Sequence, residues 1–82
     1  SNVIVTSLAM GLAMICSDVG SIRDYCDETN TIFCNNNNIT QFTNAISTIS
    51  RDKKKLISMR YAAIAKSKLF TIERFEQELR EL

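Results

Sequence analysis

No histidine occurs anywhere in the 82 residues. Its absence removes the commonest general base and the commonest zinc ligand, so zinc hydrolysis and Ser-His or Cys-His nucleophile chemistry are excluded. Glycine is nearly as scarce, Gly11 and Gly20 being the only two. Neither the dinucleotide fingerprint nor the P-loop can be assembled from them, and ATP-driven and nicotinamide chemistry lose support accordingly. The three cysteines, Cys16, Cys26 and Cys34, stand ten and eight residues apart without a Cys-x-x-Cys pair. An odd number at metal-unlike spacing reads as free thiols in a reducing cytoplasm, each a small buried hydrophobe rather than part of a disulfide framework. Net charge is also almost lacking. Ten Lys and Arg against nine Asp and Glu leave +1, too weak a field to make nucleic acid or an anionic membrane an obligatory partner.

The longest run free of charge, Ser1 to Ser17, is interrupted by Asn2, Thr6, Ser7 and Gly11, so no bilayer-spanning helix is expected from it. It carries no basic n-region, and no signal peptide is expected either. What the chain does have is a hydrophobic content of 45%, which rules out disorder. Residues 1–82 are expected to form a single unit, because two cores of half this size would each fall below what folds unaided. The chain is mildly bipolar. Residues 1–50 hold one basic and four acidic side chains, a net of −3, and residues 51–82 hold nine basic and five acidic ones, a net of +4.

Val3, Ile4, Val5 and Thr6 form a β-branched run that favours strand by propensity, whereas Ser7 to Met10 ending at Gly11 reads as the last turns of a helix with a glycine stop. Ala13 to Cys16 is a short apolar run closed by Ser17, Asp18 and Gly20, the pattern of a strand covered on both faces. Ser21 to Tyr25 suits a short helix and Thr31 to Cys34 a second brief strand. The asparagine tract Asn35 to Asn38 predicts a turn. Asn38 with Gln41 predicts a capping box, a reading preferred to glycosylation at Asn38-Ile39-Thr40. Three amphipathic helices are then expected at the C-terminal end. The first has the stripe Ile39, Phe42, Ile46 and Ile49. The second begins near Ser50 and Asp52 and buries Leu56, Met59, Ala63 and Ile64. The third is capped by Thr71 and has the stripe Ile72, Phe75, Leu79 and Leu82. The fold class that follows is α/β, a partial Rossmann-like domain with a short parallel sheet of about two strands and several helices. A two-stranded parallel sheet leaves edges exposed, so further strands in a longer protein, or self-association through those edges, is expected.

Asp18 is expected to cap the strand-to-helix turn, with Asp24, Asp27 and Glu28 solvated. Lys53, Lys54, Lys55, Lys66 and Lys68 could touch anionic lipid or nucleic acid. No aromatics interleave with them, and a solvated helix face is the preferred reading. Met10, Met14 and Met59 are expected to fill core space. The remaining anion-binding device is a helix N-terminus, whose first amides favour phosphate oxygens, and the segment beginning at Asn2 would supply one if helical.

The order Asn2-Val3-Ile4-Val5-Thr6-Ser7-Leu8-Ala9-Met10-Gly11, followed by Met14-Ile15-Cys16-Ser17, Gly20 and Asp24, resembles the donor-binding segment of the retaining nucleotide-sugar glycosyltransferases with two Rossmann-like domains. In that family a helix ending in Ala-x-Gly leads to a buried strand, a glycine turn and a short helix with an acidic residue. Asp27, Asn30, the Asn35 to Asn38 turn and the helix from Thr71 continue the likeness over nearly the whole chain. The resemblance implies that Asn2 to Gly11 is helical. It implies that the backbone amides of Val3 and Ile4 face the donor diphosphate, and that Thr6 stands at the donor ribose, where the family carries a glutamate. Ala13 stands for the usual proline, Ser21 for a second glycine and Thr31 for the glycine after Asn30, the marks of a divergent member. No catalytic residue is expected within these residues, and no metal or other cofactor beyond the nucleoside diphosphate sugar. The acceptor is unassigned, and peripheral membrane contact by the intact enzyme is admitted. The alternative expectation is a non-catalytic interaction module that retains the fold without binding sugar nucleotide.

Overall fold

The computed structural model of the protein describes residues 2–82. In chain order the elements are α1 (Asn2–Ala9), β1 (Met14–Ser17), a single 3-10 turn (Ile22–Asp24), β2 (Thr31–Cys34), α2 (Ile39–Arg51) and α3 (Lys53–Arg80). The strands pair in parallel, with Met14 opposite Thr31, Ile15 opposite Ile32, Cys16 opposite Phe33 and Ser17 opposite Cys34. The expected α/β class with a two-stranded parallel sheet is what the chain forms.

The β-branched opening is helical despite its propensity, because the helical period turns Ile4 and Leu8 to one side. Leu8 is fully buried in a cluster with Ile22, Cys26 and Ala63, and Ile4 packs against it. Burying a Leu side chain contributes about 1.5–3 kcal/mol, more than the few tenths per residue by which β-branched side chains disfavour helix. α1 stops in a Schellman motif. Leu12 N–H donates to the Ser7 carbonyl at 3.1 Å and Gly11 N–H to that of Leu8 at 3.0 Å, with Gly11 in the left-handed region at φ 70°.

Strand alternation sends Met14, Cys16 and Phe33 to the face that carries this cluster, to which α3 contributes Ala63 and Phe70. The opposite face meets α2 along Ile32, Cys34 and Ala45. α1 and α3 thus lie on one side of the sheet and α2 on the other, and β1 is half-buried along its length rather than covered on both faces as its apolar run predicts. Asn38 caps α2, its Oδ1 accepting from Gln41 N–H at 3.0 Å, whereas Gln41 Oε1 accepts from Asn35 N–H rather than from the cap residue. Asn37 takes the left-handed turn position at φ 61°.

Several sequence expectations need correction. Two helices, not three, occupy the C-terminal end. α3 continues through Thr71, whose hydroxyl donates to the Ser67 carbonyl at 3.0 Å inside the helix instead of capping a new one. Nothing nearby competes for the backbone there, so a good cap residue alone does not break the helix. In α2 the inward line is Phe42, Ala45 and Ile49, while Ile39 and Ile46 are 80% and 57% exposed. The small Ala45 side chain lies at the sheet, and the larger Ile46 one residue on is rotated away from it. Met10 is exposed rather than a core filler, unlike Met59. Asp52 does separate two helices, since its Oδ1 accepts from Lys55 N–H at 3.0 Å and its own N–H donates to the Thr48 carbonyl.

Candidate functional site

The candidate site is the leading turn of α1. The first amides of an α-helix have no intrahelical carbonyl to bond, and their dipoles leave a partial positive charge there. No acidic side chain in the first turn of α1 offsets that charge. Val3 and Thr6, three residues apart, share the exposed side of the helix, while the Ile4 side chain turns into the core. Ile4 can therefore contribute only its backbone amide, held in place by the packing of its own side chain. Thr6 presents one hydroxyl, a single donor with two acceptor lone pairs, where a carboxylate would offer two charged oxygens. Ser7 Oγ donates to the Val3 carbonyl at 2.8 Å, tying the first turn to the second.

The rear of this helix is held from a distance. Arg60 Nε donates to the Gly11 carbonyl at 2.9 Å across 49 residues of sequence, and the Gly11 α-carbon lies where an added Cβ would stand 3.1 Å from Ile64. Gly11 thus both reverses the chain and admits α3. No local signal in the sequence could have paired Arg60 with Gly11, because the contact exists only once α3 lies on α1.

No known family, curated protein or solved structure matches this chain.

The loops after β1 are organised by a charge network. Arg23 Nε pairs with Asp18 at 2.9 Å, its Nη1 with Glu28 at 2.7 Å, and its guanidinium lies 4.0 Å above the Phe33 ring. Asp18 is thus an ion-pair partner and not a cap, since Ser21 occupies the cap position of the 3-10 turn. Asp27 and Glu28 are engaged as well, contrary to the solvated reading. Lys66 reaches Asp27 at 2.8 Å, and Thr29 donates to the same carboxylate from both its N–H and its hydroxyl. Those contacts hold the Asp27 carboxyl down at about 2. Burial pushes the Cys16 thiol up, with the neighbouring Cys26 and Cys34 adding to the effect, so it stays protonated and weakly nucleophilic at neutral pH. Asn30 is fully buried, its Oδ1 accepting from Asp27 N–H at 2.9 Å to close the loop into β2.

An open cleft of about 460 Å³ follows the carboxyl end of β2, with Ile32, Phe33, Cys34 and Ala45 at its base and Gln41, Asn44, Thr48 and Lys55 among its polar lining. Sequence reading did not anticipate it, because Gln41, Asn44 and Thr48 form a wall only when α2 is laid beside the strand.

Proposed function

We propose that this chain is the C-terminal part of the donor-binding domain of a retaining nucleotide-sugar glycosyltransferase, forming one wall of the donor site. The observation that carries the reading is the helical opening. A run of β-branched residues winds into α1, ends at Gly11 and feeds a half-buried parallel strand, in the order the resemblance gives. An extended opening segment would have removed the proposal. In this reading the Val3 and Ile4 amides receive the diphosphate oxygens. Their fixed dipoles stabilise the negative charge that develops on the leaving diphosphate as the bond to the sugar breaks, without reorganisation at that moment. The uncovered sheet edges and the exposed stripe Ile72, Phe75 and Leu79 support a larger protein around this unit.

The neutral Thr6 favours a second reading, a non-catalytic module of the same fold that has given up the ribose contact. Calorimetry of the full-length protein with uridine and guanosine diphosphate sugars tests both. Donor binding is expected with one of the two bases. Thr6→Glu, on an exposed helical position, is expected to tighten it about tenfold, since a hydrogen bond to a charged group contributes about 1.5–3 kcal/mol. Absence of heat from wild type and Thr6→Glu alike would sink the donor-site proposal and leave the module.

A further inference from the structure

One face of the first half of α3 joins exposed apolar side chains to a group of lysines. Ile57, Tyr61 and Ile64 recur at four- and three-residue steps and share a side of the helix, with Lys53 and Lys54 four and three residues before Ile57. Ile57 is 52% exposed and Tyr61 72%. Together with Arg60 and Ile64 they line an open, mainly apolar groove of about 320 Å³. Gly11 abuts Ile64, which brings its neighbours Met10 and Leu12, both exposed, to the same region. At the start of the face stand Lys53 and Lys54, with Arg51 just before them, and Lys55 lies on the other side of the helix beside the β2 cleft, all four exposed. Among the described residues none of these four enters an ion pair. The lone acid between them, Asp52, uses its carboxylate as the α3 cap. Three lysines in a first turn oppose the helix dipole, and among the described residues no side-chain contact uses their charge.

We propose that this face docks flat on a bilayer containing anionic lipid. The cations meet the headgroup phosphates, Tyr61 lies at the headgroup level, and Ile57 with the exposed part of Ile64 enters the acyl boundary. No helix among the described residues is long and apolar enough to cross a membrane, so the contact is interfacial. Charge complementarity alone would also suit nucleic acid. The exposed aliphatic side chains decide for lipid, because a nucleic-acid strand is gripped by aromatics set among the cations, and of the residues on this face only Tyr61 is aromatic. The surface uses neither Val3 nor Thr6, and it stands or falls independently of the donor site.

Vesicle sedimentation of the purified protein is the test. Salt-sensitive binding is expected to phosphatidylcholine vesicles containing about one third phosphatidylserine, with little to phosphatidylcholine alone. The double substitution Lys53→Ala with Lys54→Ala is expected to weaken binding roughly 25-fold, at about fivefold per cation. Ile57→Ser with Tyr61→Ser should weaken it as well, at positions exposed enough that far-UV circular dichroism stays unchanged. Four results overturn the proposal: no sedimentation, equal binding to neutral vesicles, binding that survives either double substitution, or tighter binding to a labelled oligothymidylate than to the vesicles.

Discussion

Arg23 performs three tasks with one planar group. Its fork reaches Asp18 and Glu28 while its face lies on Phe33, so it joins the end of β1, the 3-10 turn and the approach to β2. The hydrogen bonds to Glu28 and Asp18 raise its own pKa, and Arg23 lowers that of Glu28. A lysine could supply the charge but not the fork or the stacking plane. Asp27 shows how a single residue sets an acid limit. Its carboxyl ordinarily titrates near 3.8 and in the folded chain at about 2, chiefly through Lys66 and Thr29. A depressed folded value means that the contribution is complete above about pH 4 and disappears as pH falls through about 2. The side chain is 43% exposed, so solvent screening reduces the contribution to about 1 kcal/mol. Asp27→Asn is therefore expected to lower the unfolding free energy by about that amount near neutral pH. It should also flatten the dependence of stability on pH between about 4 and 2, as urea titrations across that range would record. The sequence displayed these charged residues but not their pairing. Asp18 and Arg23 are local enough to be guessed, whereas Asp27 and Lys66 meet only because α3 returns to the loop before β2.

At the scale of elements, the ends carry more information than the middles. Asn38 and Asp52 cap as their positions in the sequence suggest, and β2 occupies the residues expected of it. α1 is the opposite case. Propensity points to strand, and helix wins through Leu8 and Ile4 against α3 and through the Gly11 stop. Gly11→Ala combines a left-handed backbone with a Cβ driven against Ile64, and a loss of about 1–3 kcal/mol is expected in chemical denaturation. Gly20 has a similar φ but no atom within 4 Å of an added Cβ. Gly20→Ala should therefore cost clearly less, and equal losses would refute the packing role given to Gly11.

The molecule as a whole is elongated, 49 Å along its long axis. Much of that length is α3, which at 1.5 Å per residue spans about 42 Å. Its final third projects beyond the core. From Thr71 onward every residue is exposed, held in helix by backbone bonds and by pairs such as Arg74 with Glu78 at 3.3 Å. An isolated helix of that length is marginal in water, and it contributes nothing to the buried clusters. Removing residues 71–82 is accordingly expected to move the thermal midpoint by less than about 2 °C, measured by circular dichroism at 222 nm. A larger drop would show that the tail supports the core.

Local chemistry was enough to determine the elements that depend only on neighbours in the chain: the turn at Asn35 to Asn38, the caps at Asn38 and Asp52, the strand at Thr31, and the buried line of Met59 and Ala63. Tertiary structure alone decided that the β-branched opening is helical, that Arg60 reaches Gly11, and that Lys66 meets Asp27. Each of these turns on which surfaces are removed from water when distant segments meet, and burial of that kind outweighs the small intrinsic preferences a sequence displays.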